Sequence, residues 1–276
     1  MRPEQWALTI AQWKQFLHTC KACTELWEWL TAQPAYGTTE AKGYVNLYDV
    51  CAHFVKPWTA GTGCGLALLM NPTEPLTASL MISHSWAEDI EECSEAFDNF
   101  CKTWNISELT PIWFCTYAQY QPQDGHGPSI QEQIALQPFL SVIHSEGVRE
   151  GVPNAATHPR LQWKSNFGML VVHTSRADPY TRLWCVHEVD EALSVLGKEM
   201  VFGICTKGYL EGLACGTMGG NFLCMERRRL AVTSEAAACG VPEDEDMIRK
   251  HILAKGTFED LDRAVMDFRA AMASHL

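Results

Sequence analysis

The sequence predicts an open α/β sheet of mostly parallel strands, preceded by a helical segment. Three observations point there. From Thr77 onward, short apolar runs alternate with longer amphipathic stretches, the pattern of a sheet covered by helices. Residues 167–173 form an uninterrupted apolar run rich in β-branched side chains, as expected for a strand buried on both faces. The segment after it opens with Asp178-Pro179, an N-cap residue followed by proline at the first helical position, where a missing N–H costs nothing.

Taken in order, Trp6, Ile10, Trp13, Leu17 and Cys20, then Leu26, Trp27 and Leu30, recur at helical spacing and predict one or two helices ending near Gln33-Pro34. Residues 44–58 predict a short helix closed at Lys56-Pro57. Gly61-Thr62-Gly63-Cys64-Gly65 has neither a following Gly-Lys-Ser/Thr nor a preceding strand. It therefore reads as a tight connection into the apolar stretch 66–70 rather than a phosphate loop. Residues 78–83 give the first strand, 88–104 a helix and 111–115 the second strand. The stretch 119–165 is too long for an ordinary connection and predicts a lid or binding insertion, with one amphipathic patch at 130–143.

After the third strand, the helix from Asp178 carries Leu183, Val186, Val189, Leu193 and Leu196 on its apolar face and stops at Gly197. Residues 200–205 make a fourth strand and 229–232 a fifth, at the edge. Glu243, Asp244, Glu245 and Asp246 open a helix that runs to about Leu253, where the macrodipole favours carboxylates over an acidic metal site. Residues 258–272 are the last helix. The chain thus divides into an N-terminal helical extension, 1–76, packed on a main domain, 77–276, that holds the 119–165 insertion and the C-terminal helices.

Composition limits the partners. Lys and Arg total 21 against 33 Asp and Glu, a net charge of −12, which disfavours nucleic acid and anionic membrane surfaces. A 47% hydrophobic content with 20% charged residues supports a sizeable core. No apolar run approaches the roughly 20 residues of a bilayer-spanning helix, and the N-terminus has no apolar signal segment. The expectation is a soluble, cytoplasmic chain whose twelve cysteines are mostly reduced, buried thiols. Cys20-Lys21-Ala22-Cys23 has no second pair at zinc-site spacing, so no metal centre is expected.

In an open parallel sheet, ligands bind beyond the C-terminal ends of the strands. Ser83-His84-Ser85-Trp86-Ala87-Glu88-Asp89 follows the first strand, and Arg182-Leu183-Trp184-Cys185-Val186-His187-Glu188 lies on the helix after the third. Glu188 is either exposed on the helix flank or turned into the cleft, and His187 reads as a surface or partly buried histidine. Cys185 and His187, two apart on one helix, point to different sides, which counts against a Cys–His nucleophilic pair.

The strand ending in Ser83-His84-Ser85-Trp86 with Glu88-Asp89 after it, the Ser175 loop with Tyr180, and Trp184-Cys185-x-x-Glu188 together resemble the Toll/interleukin-1 receptor (TIR) domain. The likeness covers roughly 77–235. The whole chain is similar to a divergent TIR-like group of algae and other protists, including Lys56-Pro57-Trp58-Thr59 and Gly61-Thr62-Gly63-Cys64. It departs from the usual domain in the long loop between the second and third strands, in a longer Ser-to-Tyr spacing before Trp184, and in Val189 where leucine is usual.

The resemblance implies a flavodoxin-like open parallel sheet of about five strands. It also implies an NAD⁺ nucleosidase that cleaves the nicotinamide–ribose bond to give nicotinamide and ADP-ribose or a cyclic isomer, with Glu188 as the catalytic residue. An anion beside C1′ stabilises the developing oxocarbenium ion more than the substrate. Ser83, His84 and Ser85 would hydrogen-bond the ribose or phosphates, Trp86 would stack on a ring, and Arg182 and Trp184 would complete the substrate site. NAD⁺ or a related nucleotide is then substrate, no cofactor is needed, and self-association through TIR–TIR contacts is expected. Two other readings stand beside it: a non-enzymatic TIR-type interaction module, and an N-glycosidase acting on nucleosides or nucleotides.

Overall fold

Five strands form one sheet in the computed structural model, which describes residues 1–35, 38–155, 165–206, 208–209 and 232–275. They are β1 (Leu8–Thr9), β2 (Leu80–Ser83), β3 (Pro111–Phe114), β4 (Met169–His173) and β5 (Val201–Cys205), hydrogen-bonded in the order β1-β3-β2-β4-β5. The last four pair in parallel, and β1 runs antiparallel to β3 through Leu8 opposite Ile112 and Thr9 opposite Pro111. Every residue of β2, β4 and β5 is buried, which is why these segments read as continuous apolar runs.

The four parallel strands stand where the sequence places them. The fifth differs. Residues 229–231 lie outside the described residues and Val232 belongs to no strand, whereas β1 sits in a stretch that reads as a helical stripe. Helix α1 (Ile10–Ala22) begins only after Thr9, because the Thr9 hydroxyl accepts from the Gln12 N–H at 3.1 Å while the Gln12 side chain returns to the Thr9 N–H at 2.8 Å. Leu8 and Thr9 are left extended and add to the sheet edge.

Helices cover both faces. On one side α1, α2 (Thr24–Ala32), α3 (Leu47–Val50) and the residues after it pack with β2, β3 and the later helix of residues 90–104 around Trp13, Phe97 and Phe114. The Trp13 ring centroid lies 4.8 Å from that of Phe97 and 5.9 Å from that of Phe114. After α3 the chain stays helical through a π turn, Cys51–Val55, into α4 (Lys56–Thr59) rather than closing at Lys56-Pro57. Lys56 N–H reaches back to the Cys51 carbonyl, so proline, which has no N–H to give, enters where the register has already widened. Gly61 and Gly63 hold φ of 75° and 73°, the unusual angles expected of this connection, and α5 (Leu66–Met70) follows.

Helix α6 (Ile90–Trp104) starts after Asp89, whose carboxylate accepts from the N–H groups of Glu91 and Glu92. Directly after β3 comes the single turn α7 (Cys115–Ala118). The long 119–165 stretch carries α8 (Ile130–Ile134), α9 (Pro138–Ile143) and α10 (Glu146–Glu150), and its residues 156–164 lie outside the described residues. Phe139, Val142 and Ile143 of α9 belong to the buried cluster on the other face of the sheet, with Trp113 and Val171.

Beyond β4 the helix starts later than Asp178-Pro179 suggests. Asp178 caps a 3-10 turn, Pro179–Thr181, through the Tyr180 N–H at 3.0 Å. Arg182 is then extended beside Ala238, whose carbonyl takes the Leu183 N–H at 3.0 Å, and α11 (Leu183–Val195) begins. Glu188 is thus the sixth residue of its helix, closer to the helix start than a helix opening at Asp178-Pro179 would put it. Helices α12 (Pro242–Lys255) and α13 (Phe258–His275) complete this face. Among the described residues no helix is long and apolar enough to cross a membrane, and all ten described cysteines are free.

Candidate active site

The site forms where the parallel strands end. The chain goes from β2 to β3 on one side of it and then returns to β4 on the other. Their C-terminal ends therefore flank a reversal in strand order, the place where open α/β sheets bind ligands. Ser83 closes β2 opposite Val171, and Ile82 is opposite Phe114. Residues 83–85, Cys115 and the start of α11 are brought to one end of the sheet by this register.

Two of the expected site residues meet most closely. Ser83 is fully buried and its hydroxyl has no hydrogen-bond partner within normal geometry; Glu188, 5% exposed, approaches it from α11. Burial pushes the Glu188 carboxyl up from 4.5 to about 7, against the Ser83 hydroxyl and the positive fields of His84 and Arg182, which act in the opposite direction. Arg182 is half-buried and donates to the Tyr48 hydroxyl. Tyr48 in turn packs on Trp86, with ring centroids 5.4 Å apart. Tyr48, which the sequence reading passed over, thus ties Arg182 to Trp86 from a helix more than a hundred residues away.

The other expected residues divide. Ser85 is buried beside the group, where its hydroxyl accepts from the Ala87 N–H at 3.4 Å and shapes the turn. Trp184 has its ring partners elsewhere, 4.6 Å from Phe139 and 6.2 Å from His187, and lines a small cavity with Met247 and His251. His187, expected at the surface or partly buried, is buried, and burial together with Lys255 and His251 lowers it to about 4. Ser175 is exposed and bonds Glu92. Tyr180 lies in the interior, its hydroxyl 3.1 Å from His173 Nε2 and its ring under Arg269.

A second constellation shares the same strand ends. Cys115 Sγ lies 3.1 Å from His84 Nε2, and His84 Nδ1 lies 3.5 Å from Glu88 Oε1. All three residues are buried, and Cys185 Sγ donates to the His84 carbonyl at 3.1 Å. Burial opposes charge on His84, but the sulfur on one ring nitrogen and the carboxylate on the other outweigh it and raise His84 to about 10. Burial likewise pushes Glu88 up. The Cys–His pair that the sequence spacing counted against was Cys185 with His187; the pair that exists joins the ends of two neighbouring strands. The available signal was that a histidine directly follows the first predicted strand and a cysteine ends the second.

Among the described residues no group of three or more His, Cys, Asp or Glu side chains is arranged to hold a metal ion. Comparison with protein-family models, with curated proteins and with solved structures gave no match to this chain.

Proposed function

We propose that this chain is a TIR-like NAD⁺ nucleosidase in which Glu188 supplies the anion that stabilises the oxocarbenium ion at C1′. The observation that carries the reading is a buried carboxylate facing a buried serine hydroxyl at the reversal point of a parallel sheet, with an arginine held nearby by Tyr48. A carboxylate in this low-dielectric setting acts on developing positive charge far more strongly than it would in water. Ser83, beside Glu188, is placed to hydrogen-bond a ribose hydroxyl, Arg182 to meet the pyrophosphate and Trp86 to offer a ring face. Nicotinamide departs neutral, so no strong acid is required.

The order of the parallel strands supports the reading too. Numbered among themselves they run 2-1-3-4, in keeping with a flavodoxin-like sheet, to which residues 1–76 would be the family's N-terminal extension. Purified protein incubated with NAD⁺ should release nicotinamide, and Glu188→Ala should abolish the release. Absence of nicotinamide at high protein concentration, or undiminished release by the variant, refutes the proposal.

A further inference from the structure

We propose that Cys115 is a nucleophile for acyl transfer from small, anionic acyl donors, with His84 as its base and Glu88 as the residue that positions His84. This goes beyond the nucleosidase reading: the nucleophile is Cys115, whereas there Glu188 is at work on C1′, and only Arg182 and the neighbourhood of His84 are shared. The thiol–imidazole distance of 3.1 Å is a hydrogen bond, and the carboxylate 3.5 Å behind the other ring nitrogen completes the order nucleophile, base, orienting acid. His84 Nδ1 has no hydrogen-bond partner of its own and faces the Glu88 carboxylate, which is itself fully buried and held from its other sides by the Cys93 thiol and the Ser85 backbone. The Phe114 ring, 4.2 Å from the imidazole, holds it in place.

The charged and titratable groups around His84 and its carboxylate come from four directions: Glu88 from its own segment, Cys115 from α7 directly after β3, Cys93 from α6 against Glu88, and Glu188 and Cys185 from α11. Cys115 is 8% exposed, which limits it to small reactants. Arg182 interacts electrostatically with Cys115, so a donor bearing a carboxylate is favoured.

In the step itself Sγ attacks the acyl carbon, and the S–C bond forms as the bond from that carbon to the leaving oxygen or nitrogen breaks. The proton that His84 Nε2 took from the thiol passes to the leaving atom. Water then attacks the thioester, gives a proton through His84 to Sγ, and releases the carboxylic acid.

The probes are p-nitrophenyl acetate and the mono-p-nitrophenyl ester of succinic acid, applied to the full chain at pH 6.5, with acylated cysteines identified by peptide mass spectrometry. Exposed Cys23 is the internal standard. Cys115, hydrogen-bonded to its base His84, should acylate at least about tenfold faster than Cys23 despite its burial. Because both thiols belong to one folded molecule, this comparison needs no variant. Acylation of Cys115 no faster than that of Cys23 overturns the proposal.

Relative to Cys23, Cys115 should also prefer the succinate ester; no preference overturns the anionic donor. Glu88→Gln should slow acylation of Cys115 relative to Cys23, with Glu88→Asp restoring it in part, and an unchanged ratio overturns the positioning role. Nitrophenolate and nicotinamide are separate products, so failure here is distinguishable from failure of the nucleosidase.

Discussion

Glu188 offers a test of site electrostatics that needs no substrate. Its carboxyl titrates near 4.5 in the unfolded chain and at about 7 in the folded one. For an acid raised by folding, the unfolded state gives up its proton first. Native stability contributed by the protonated form is therefore complete below pH 4.5 and is lost as pH rises through 7. Each pH unit between the two values is worth ~1.4 kcal/mol, so ionised Glu188 costs the native state roughly 3 kcal/mol at pH 8. Glu188→Gln keeps the shape and removes the titration. In urea unfolding at pH 8 the variant should be about 3 kcal/mol more stable than the natural chain, and the difference should shrink toward zero near pH 4.5. A difference independent of pH, or a natural chain more stable than the variant at pH 8, would refute the reasoning. The same titration predicts that nicotinamide release climbs through pH 7 to a plateau, since only the anion stabilises an oxocarbenium ion.

Two further predictions concern the frame of the site. Asp178 both caps the turn before α11 and pairs at 3.0 Å with Arg269, whose side chain is 3% exposed; Asp178→Ala should lower stability by about 3 kcal/mol in urea unfolding by stranding a buried charge. Asp178→Asn, which keeps the cap, should cost less, and equal small effects of the two would contradict this. A Cβ added at Gly65 would fall 2.2 Å from the Ala118 carbonyl oxygen. Because that neighbour is backbone, Gly65→Ala should cost roughly 2–3 kcal/mol, seen by calorimetry as a melting temperature lower by about 5–10 °C; an unchanged melting temperature would count against the close packing of α5 on α7.

Much of the sheet was legible because its strands are buried on both faces. Residues 167–173 and 200–205 leave no polar alternation to confuse with a helix, and both contain strands in the structure. What escaped reading depends on distant partners. The break at Arg182 exists because Ala238 takes the Leu183 N–H, and nothing near Arg182 in sequence announces that. Leu8 and Thr9 become a strand only because Pro111 and Ile112 lie beside them. In the site, Ser83 and Glu188 were legible as strand-end and helix residues, but Tyr48 and Cys115 enter it through strand register and helix packing, which spacing along the chain does not encode.

Short as it is, β1 occupies the outer edge of β3. Without it that strand would present a row of free donors and acceptors to any other extended chain, the template from which sheet proteins aggregate. A chain trimmed at residue 76, the boundary that sequence texture suggests, would therefore uncover a sticky margin while deleting Trp13, Leu30 and Phe54 from the same buried cluster. Loss of activity in such a truncation would report insolubility before it reported any regulatory part played by the first 76 residues, and point substitutions on the outer surface of α1 and α2 are the cleaner way to ask what those residues do.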